Sequence, residues 1–151
     1  MTAVQFRAKM DYLLGIHRRA CQQHPSILTG GSPYPLLGHG IVGQSLARVE
    51  VQRALQILGS MYPIETHIAI PEWPTVKVQG RYGSRGSKHC RCDFGIVEVA
   101  SEALIAVVEV GDLSWEGKLE VYERLLPGVK VIWIPKNDVS DWRRFLLPRL
   151  L

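Results

Sequence analysis

The run ALIAVVEVG, Ala103 to Gly111, constrains the fold more than any other part of the chain. It is apolar on both alternating faces, as expected of a central strand buried on both sides. Ser114 to Leu126 then reads as a helix, with Leu119, Tyr122 and Leu126 facing inward, Trp115 above them, and an outward Glu120/Arg124 pair. Pro127-Gly128 ends it, and VKVIWIP, Val129 to Pro135, is a second strong strand. A strand–helix–strand passage of this length is a crossover, so the two strands are expected to be parallel.

The other elements are arranged around that unit. Thr2 to Gln23 has Phe6, Met10, Leu13, Leu14, His17 and Cys21 at helical spacing, and His24-Pro25 closes it. Residues 26–43 form a Gly/Pro-rich loop. Gln44 to Leu58 reads as a second helix, with Glu50 at the edge of its apolar stripe. Strands are expected over Tyr62–Ile70 and Cys90–Ala100, and a closing helix over Asp138–Leu147, stopped near Pro148. The chain of 151 residues suits one domain over 1–151, with a hydrophobic fraction of 46% and a charged fraction of 21%. The fold class expected is α/β, a mixed sheet flanked by helices, with an extra N-terminal helix over residues 1–25.

Two acids interrupt apolar strands: Asp93 in RCDFGIV and Glu109 in IAVVEV. A carboxylate in a buried strand is costly unless paired, hydrogen-bonded or bound to a cation. A hairpin centred on Ser101 pairs Val99 with Ala103, Val97 with Ile105, and Asp93 with Glu109. A connection one residue longer or shorter puts the acids on opposite faces, and the turn lacks the glycine that hairpins prefer. Lys118 is expected about one turn into the following helix, partly exposed, with its side chain reaching back over the end of the strand. Two carboxylates and a lysine suit Mg²⁺-assisted phosphodiester hydrolysis: oxygen ligands for a hard cation, and an ammonium for the water or the growing charge.

These residues resemble the D-(x)n-E-x-K signature of the PD-(D/E)XK nuclease superfamily, the restriction-endonuclease-like fold. EVGDLSWEGKLEVYERLLPGVKVIWIPKND is similar to the C-terminal half of the Uma-two family of nucleases: Glu109-Val110, a turn with Asp112 and Ser114, Lys118 before Leu119 and Tyr122, then Gly128-Val129 and Trp133. RCDFGIV resembles that family's strand around its first aspartate, with Cys92 where proline is usual. The resemblance implies a metal-dependent endonuclease acting on DNA, with Mg²⁺ (or Mn²⁺) held by Asp93 and Glu109. Lys118 and Glu50 complete the catalytic set, and dimers are common among endonucleases of this fold. Two departures stand out: Gly111 occupies the general superfamily's lysine position, and the turn before Lys118 is shorter than in the Uma-two pattern.

Other readings compete. Gly111-Asp112 in place of x-Lys suggests a catalytically degenerate module on the same fold that binds nucleic acid or protein. Glu50 has an ordinary alternative in pairing with Arg48 or Arg53, and Asp93 and Glu109 in a structural salt bridge. Arg81, Arg85, Lys88 and Arg91 form an acid-free basic segment, either a solvated loop or a phosphate-contacting one. The net charge of +4 permits nucleic-acid contact without requiring it. Cys21, His24, Cys90 and Cys92 offer ligands for a zinc-stabilised DNA-binding protein, but their short spacings and separate elements argue against such a site. Three cysteines do not make a disulfide framework. His39 reads as a surface loop residue, Glu98 and Asp112 as exposed acids, and Trp115, Tyr122 and Trp133 as core. No apolar run spans a bilayer and the N-terminus has no signal-peptide pattern, so a cytoplasmic protein is expected.

Overall fold

The computed structural model describes residues 2–30, 62–78, 89–113 and 116–150. They form a mixed α/β structure. The chain runs α1 (Ala3–Gln23), β1 (Tyr62–Ile64), β2 (His67–Pro71), β3 (Thr75–Lys77), β4 (His89–Arg91), β5 (Phe94–Glu98), β6 (Ala103–Val110), α2 (Lys118–Leu125) and β7 (Lys130–Ile134). A 3₁₀ turn (Lys136–Asp141) and α3 (Trp142–Leu150) complete it. The expected helix over 44–58 lies outside the described residues.

The main sheet has strand order β1-β2-β5-β6-β7, and β3-β4 form a separate ribbon. All pairs in the main sheet are antiparallel except β6-β7, which is parallel as the crossover requires. The two faces are covered by different helices. Leu13, Ile16 and Ala20 of α1 and Val121, Tyr122 and Leu126 at α2 pack with Val97, Leu104 and Val107 on one face. Leu146 and Leu150 of α3 pack with Ile96, Ala106, Val108, Ile132 and Ile134 on the other. A strand covered on both faces has no polar side, which is why β6 reads as a continuous apolar run.

Several boundaries differ from the sequence expectation. Tyr62–Ile70 is a tight hairpin, not one strand: β1 turns into β2 at Glu65-Thr66, with Glu65 at φ 54. The strand expected over Cys90–Ala100 breaks at Cys92-Asp93, so that β4 joins β3 and β5 joins the main sheet. Pro148 does not stop the last helix but lies inside α3, which begins at Trp142 instead of Asp138. There proline removes only one backbone hydrogen bond, near the frayed C-terminal end.

Helix α1 starts as its sequence dictates. Thr2 caps it through a reciprocal box with Gln5. It is tied to the sheet by a buried relay: Trp73 Nε1–H donates to His17 Nδ1 at 3.0 Å, and His17 Nε2–H donates to the Thr29 carbonyl at 2.9 Å. Both ring nitrogens are then used by the neutral imidazole, and burial lowers the His17 pKa. Gly95 makes room for this arrangement, because a Cβ there would lie 2.5 Å from the fully buried Trp73 ring.

Candidate carboxylate–lysine site

The β5-β6 register decides where Glu109 points. Near the turn Glu98 pairs with Ala103 and Val97 with Leu104. Beyond it Ile96 pairs with Ala106, Gly95 with Val107 and Phe94 with Val108. Ile105 is therefore the extra residue of a β-bulge, and Ile105 and Ala106 both belong to the α3 face. Without the bulge Glu109 would project among the apolar residues beneath α3. With it, continuing the outer register puts Glu109 opposite Asp93, on the face covered by α1 and α2.

The extended register matches the expected pairing of the two acids, although Asp93 lies in a bend and not on a strand, and the turn expected to produce it differs. The loop spans residues 99–102, with the Glu102 N–H donating to the Glu98 carbonyl at 2.7 Å. Glu102 takes the left-handed conformation, φ 56, that glycine usually fills. The bulge corrects the resulting offset of one residue.

Asp93 sits at the bend just before β5, and its Oδ2 accepts the Val110 N–H at 2.7 Å. That bond ties the aspartate to the end of β6, one residue past Glu109. Glu109 is buried, as is Lys118, and the Lys118 Nζ lies 3.2 Å from Glu109 Oε2. The other oxygen, Oε1, accepts the Tyr122 hydroxyl at 2.7 Å. Burial, with Asp93 adding a like charge and a hydrogen-bond partner, raises the Glu109 pKa to about 7; Tyr122 and Lys118 pull the other way. Burial also pushes the Tyr122 hydroxyl far above its ordinary range, so it remains a donor.

Lys118 is the first residue of α2, after Gly117 at φ 80, and not one turn in as the sequence suggested. It is also 7% exposed where partial exposure was expected. Gly111, two residues after Glu109, has φ +77, a conformation that strains any side chain with a Cβ. The ammonium beside Glu109 comes from the helix instead of the strand.

Tyr122 was read only as a core aromatic. It stands one turn after Lys118 on the same helix face, and its hydroxyl also lies 3.1 Å from Cys90 Sγ. The signal was a phenol on an inward stripe, since a buried hydroxyl needs a partner. Cys92 is fully buried nearby, and burial raises its thiol pKa well above the ordinary value.

The remaining expected residues divide into those outside the described residues and those placed elsewhere. Glu50, His39, Arg81, Arg85, Lys88 and Trp115 lie outside the described residues. Arg91 is on β4, facing away from Cys90, and its guanidinium lies 3.9 Å from the exposed Glu72. Cys21 is on α1, 3.6 Å from His17 Nε2. Among the described residues, no group of three or more His, Cys, Asp or Glu side chains converges on one point. No described helix is long and apolar enough to cross a membrane.

The donors at this site are carboxylate oxygens, the type that Mg²⁺ and Mn²⁺ take. Glu109 is held partly protonated mainly by burial, with Asp93 adding to the shift and Lys118 opposing it. Both Glu109 oxygens and Asp93 Oδ2 already have protein partners, so a cation here would share these oxygens with Lys118, Tyr122 and the Val110 N–H. Comparison with family models, with curated proteins and with solved structures returns no match for this chain.

Proposed function

We propose that the chain is a divalent-metal-dependent nuclease of the restriction-endonuclease-like type, hydrolysing phosphodiester bonds in DNA. The observation that carries the reading is the meeting of Asp93, Glu109 and Lys118 on one sheet face, at the carboxyl end of β6. Asp93 and Glu109 would hold the cation, which supplies Lewis-acid polarisation of a phosphate and a more acidic water. Asp93 is kept in place by the Val110 N–H, and Glu109 by Tyr122. Lys118 holds its ammonium at Glu109 Oε2, where it can orient a water or offset charge building on the phosphate. Glu50, from the helix expected over 44–58, is proposed as an accessory carboxylate.

A second reading has its own support. Both Glu109 oxygens already have protein partners, and a structural network of Glu109, Lys118 and Tyr122 accounts for their burial without a cation. That network suits a catalytically degenerate module that binds nucleic acid or protein. Incubation with supercoiled plasmid, single-stranded DNA and RNA separates the two, in Mg²⁺, in Mn²⁺ and in EDTA. Cleavage that needs the metal and stops in EDTA supports the nuclease. Intact substrates under every condition support the binding module.

A further inference from the structure

We propose that Trp133 is a stacking platform for an unpaired nucleobase beside the carboxylate pair, so that the site takes single-stranded or frayed nucleic acid. This rests on the nuclease reading and names the substrate form that the same site would accept.

Trp133 is next to Glu109 across the parallel β6-β7 pair, in direct register. Registered neighbours in a sheet project from the same face, and adjacent strands lie ~4.8 Å apart. The indole is therefore on the carboxylate side of the sheet, at the carboxyl end of its strand. It is 41% exposed, whereas Ile132 and Ile134 on either side are 5% and 1% exposed. The expectation that it is a core residue is overturned.

Its edge is fixed while its face takes no partner among the described residues. Nε1–H donates to the Gly111 carbonyl at 2.6 Å, and among the described residues no ring or cation stacks on it. The surroundings are open on the strand side: a Cβ built on Gly111 would meet no atom within 4 Å. A cleft of about 370 Å³ runs along the β7 edge, lined by Lys130, Val131, Ile132, Trp133 and Arg149. Its charged residues, both cationic, lie toward α3, where Lys130 Nζ donates to the Arg149 and Leu150 carbonyls at 3.1 and 3.3 Å.

A held, half-exposed indole face next to oxygen ligands for a metal is suited to one ligand class. Base–aromatic stacking accepts any base, but only one whose face is not already covered by a neighbouring pair. A continuous duplex offers no such face, whereas a single strand or a frayed end does. The scissile phosphate then lies on the Glu109 side of the stacked base.

The test is fluorescence anisotropy with a labelled single-stranded oligonucleotide and a blunt duplex, in Ca²⁺, for wild type, Trp133→Ala and Trp133→Phe. The Ala variant should weaken single-strand binding about tenfold or more, from the strength of base stacking. The Phe variant should restore most of it, and duplex binding should not change. An abasic position in the oligonucleotide should weaken wild type but add nothing to Trp133→Ala. Equal losses for single strand and duplex, or no loss, would overturn the proposal. So would a wild-type dimer that Trp133→Ala splits, since the β7 edge would then serve a second copy of the chain. Trp133-dependent binding without cleavage would keep the platform and remove the nuclease. Cleavage with unchanged binding by Trp133→Ala would do the reverse, and no binding by wild type would remove the platform.

Discussion

Glu109 carries most of the argument at the residue scale, and its protonation gives a measurable consequence. Its folded pKa, about 7, lies above the ordinary 4.5, so between those values the native protein holds a proton that the unfolded chain has lost. The stabilising contribution is complete below 4.5 and is lost as pH rises through 7. Between acid and mildly alkaline solution this amounts to something on the order of 3 kcal/mol. Glu109→Gln imitates the neutral acid, so urea denaturation from pH 4 to pH 8 should show this decline in wild type and not in the variant. Lys118 needs similar care. Because it is buried against Glu109, Lys118→Ala opens a void and leaves a carboxylate without its cation, whereas Lys118→Met keeps the volume. The Met variant should melt closer to wild type than the Ala variant, by roughly 1 kcal/mol or more. Asp93 and Glu109 stood out in the sequence because charged residues in apolar strands need an explanation. Tyr122 and Trp133 did not, since a tyrosine or tryptophan fits a buried stripe and a ligand surface equally well. The bond from Tyr122 to Glu109, and the 41% exposure of Trp133, come only from the three-dimensional arrangement.

At the scale of elements, β6, α2 and β7 were legible because each has a strong period and a clear stop. The breaks at Glu65-Thr66 and Cys92-Asp93 were not. Glu65 turns the chain in a left-handed conformation without glycine, and the switch at Cys92 depends on which partner strand each half finds. The bulge at Ile105 was equally hidden, because isoleucine fits either face of a doubly covered strand. Its effect on the site can be tested by deletion. Removing Ile105 leaves Val97 on Leu104 and Ile96 on Ala106, so Asp93 still faces Glu109. That variant should keep the metal-dependent activity at a stability loss of about 1–3 kcal/mol. Removing Val107 instead turns Glu109 toward Leu146 and the apolar face, and should abolish both activity and stable folding. Thermal melts and cleavage assays on the two deletions check the contrast.

Across the described residues, the two faces of the sheet differ in polarity. Beneath α3 the packing is apolar, with Phe94 stacked on Trp142 at 6.3 Å. Beneath α1 and α2 the same sheet carries the buried carboxylate, lysine, phenol and thiols, with the His17–Trp73 relay holding α1 over that face. The site thus depends on elements far apart in sequence: the bend before β5, the end of β6 and the start of α2. If these residues act as one hydrolytic unit, their losses should not add. The most direct measurement is single-turnover cleavage in Mg²⁺ by wild type, Asp93→Asn, Lys118→Met and the double variant. A single hydrolytic unit should lose about a hundredfold or more in each single variant, with the double variant little worse than either and no cleavage by any of them in EDTA. Cleavage by Lys118→Met or Asp93→Asn at the wild-type rate, or persisting in EDTA, would contradict it.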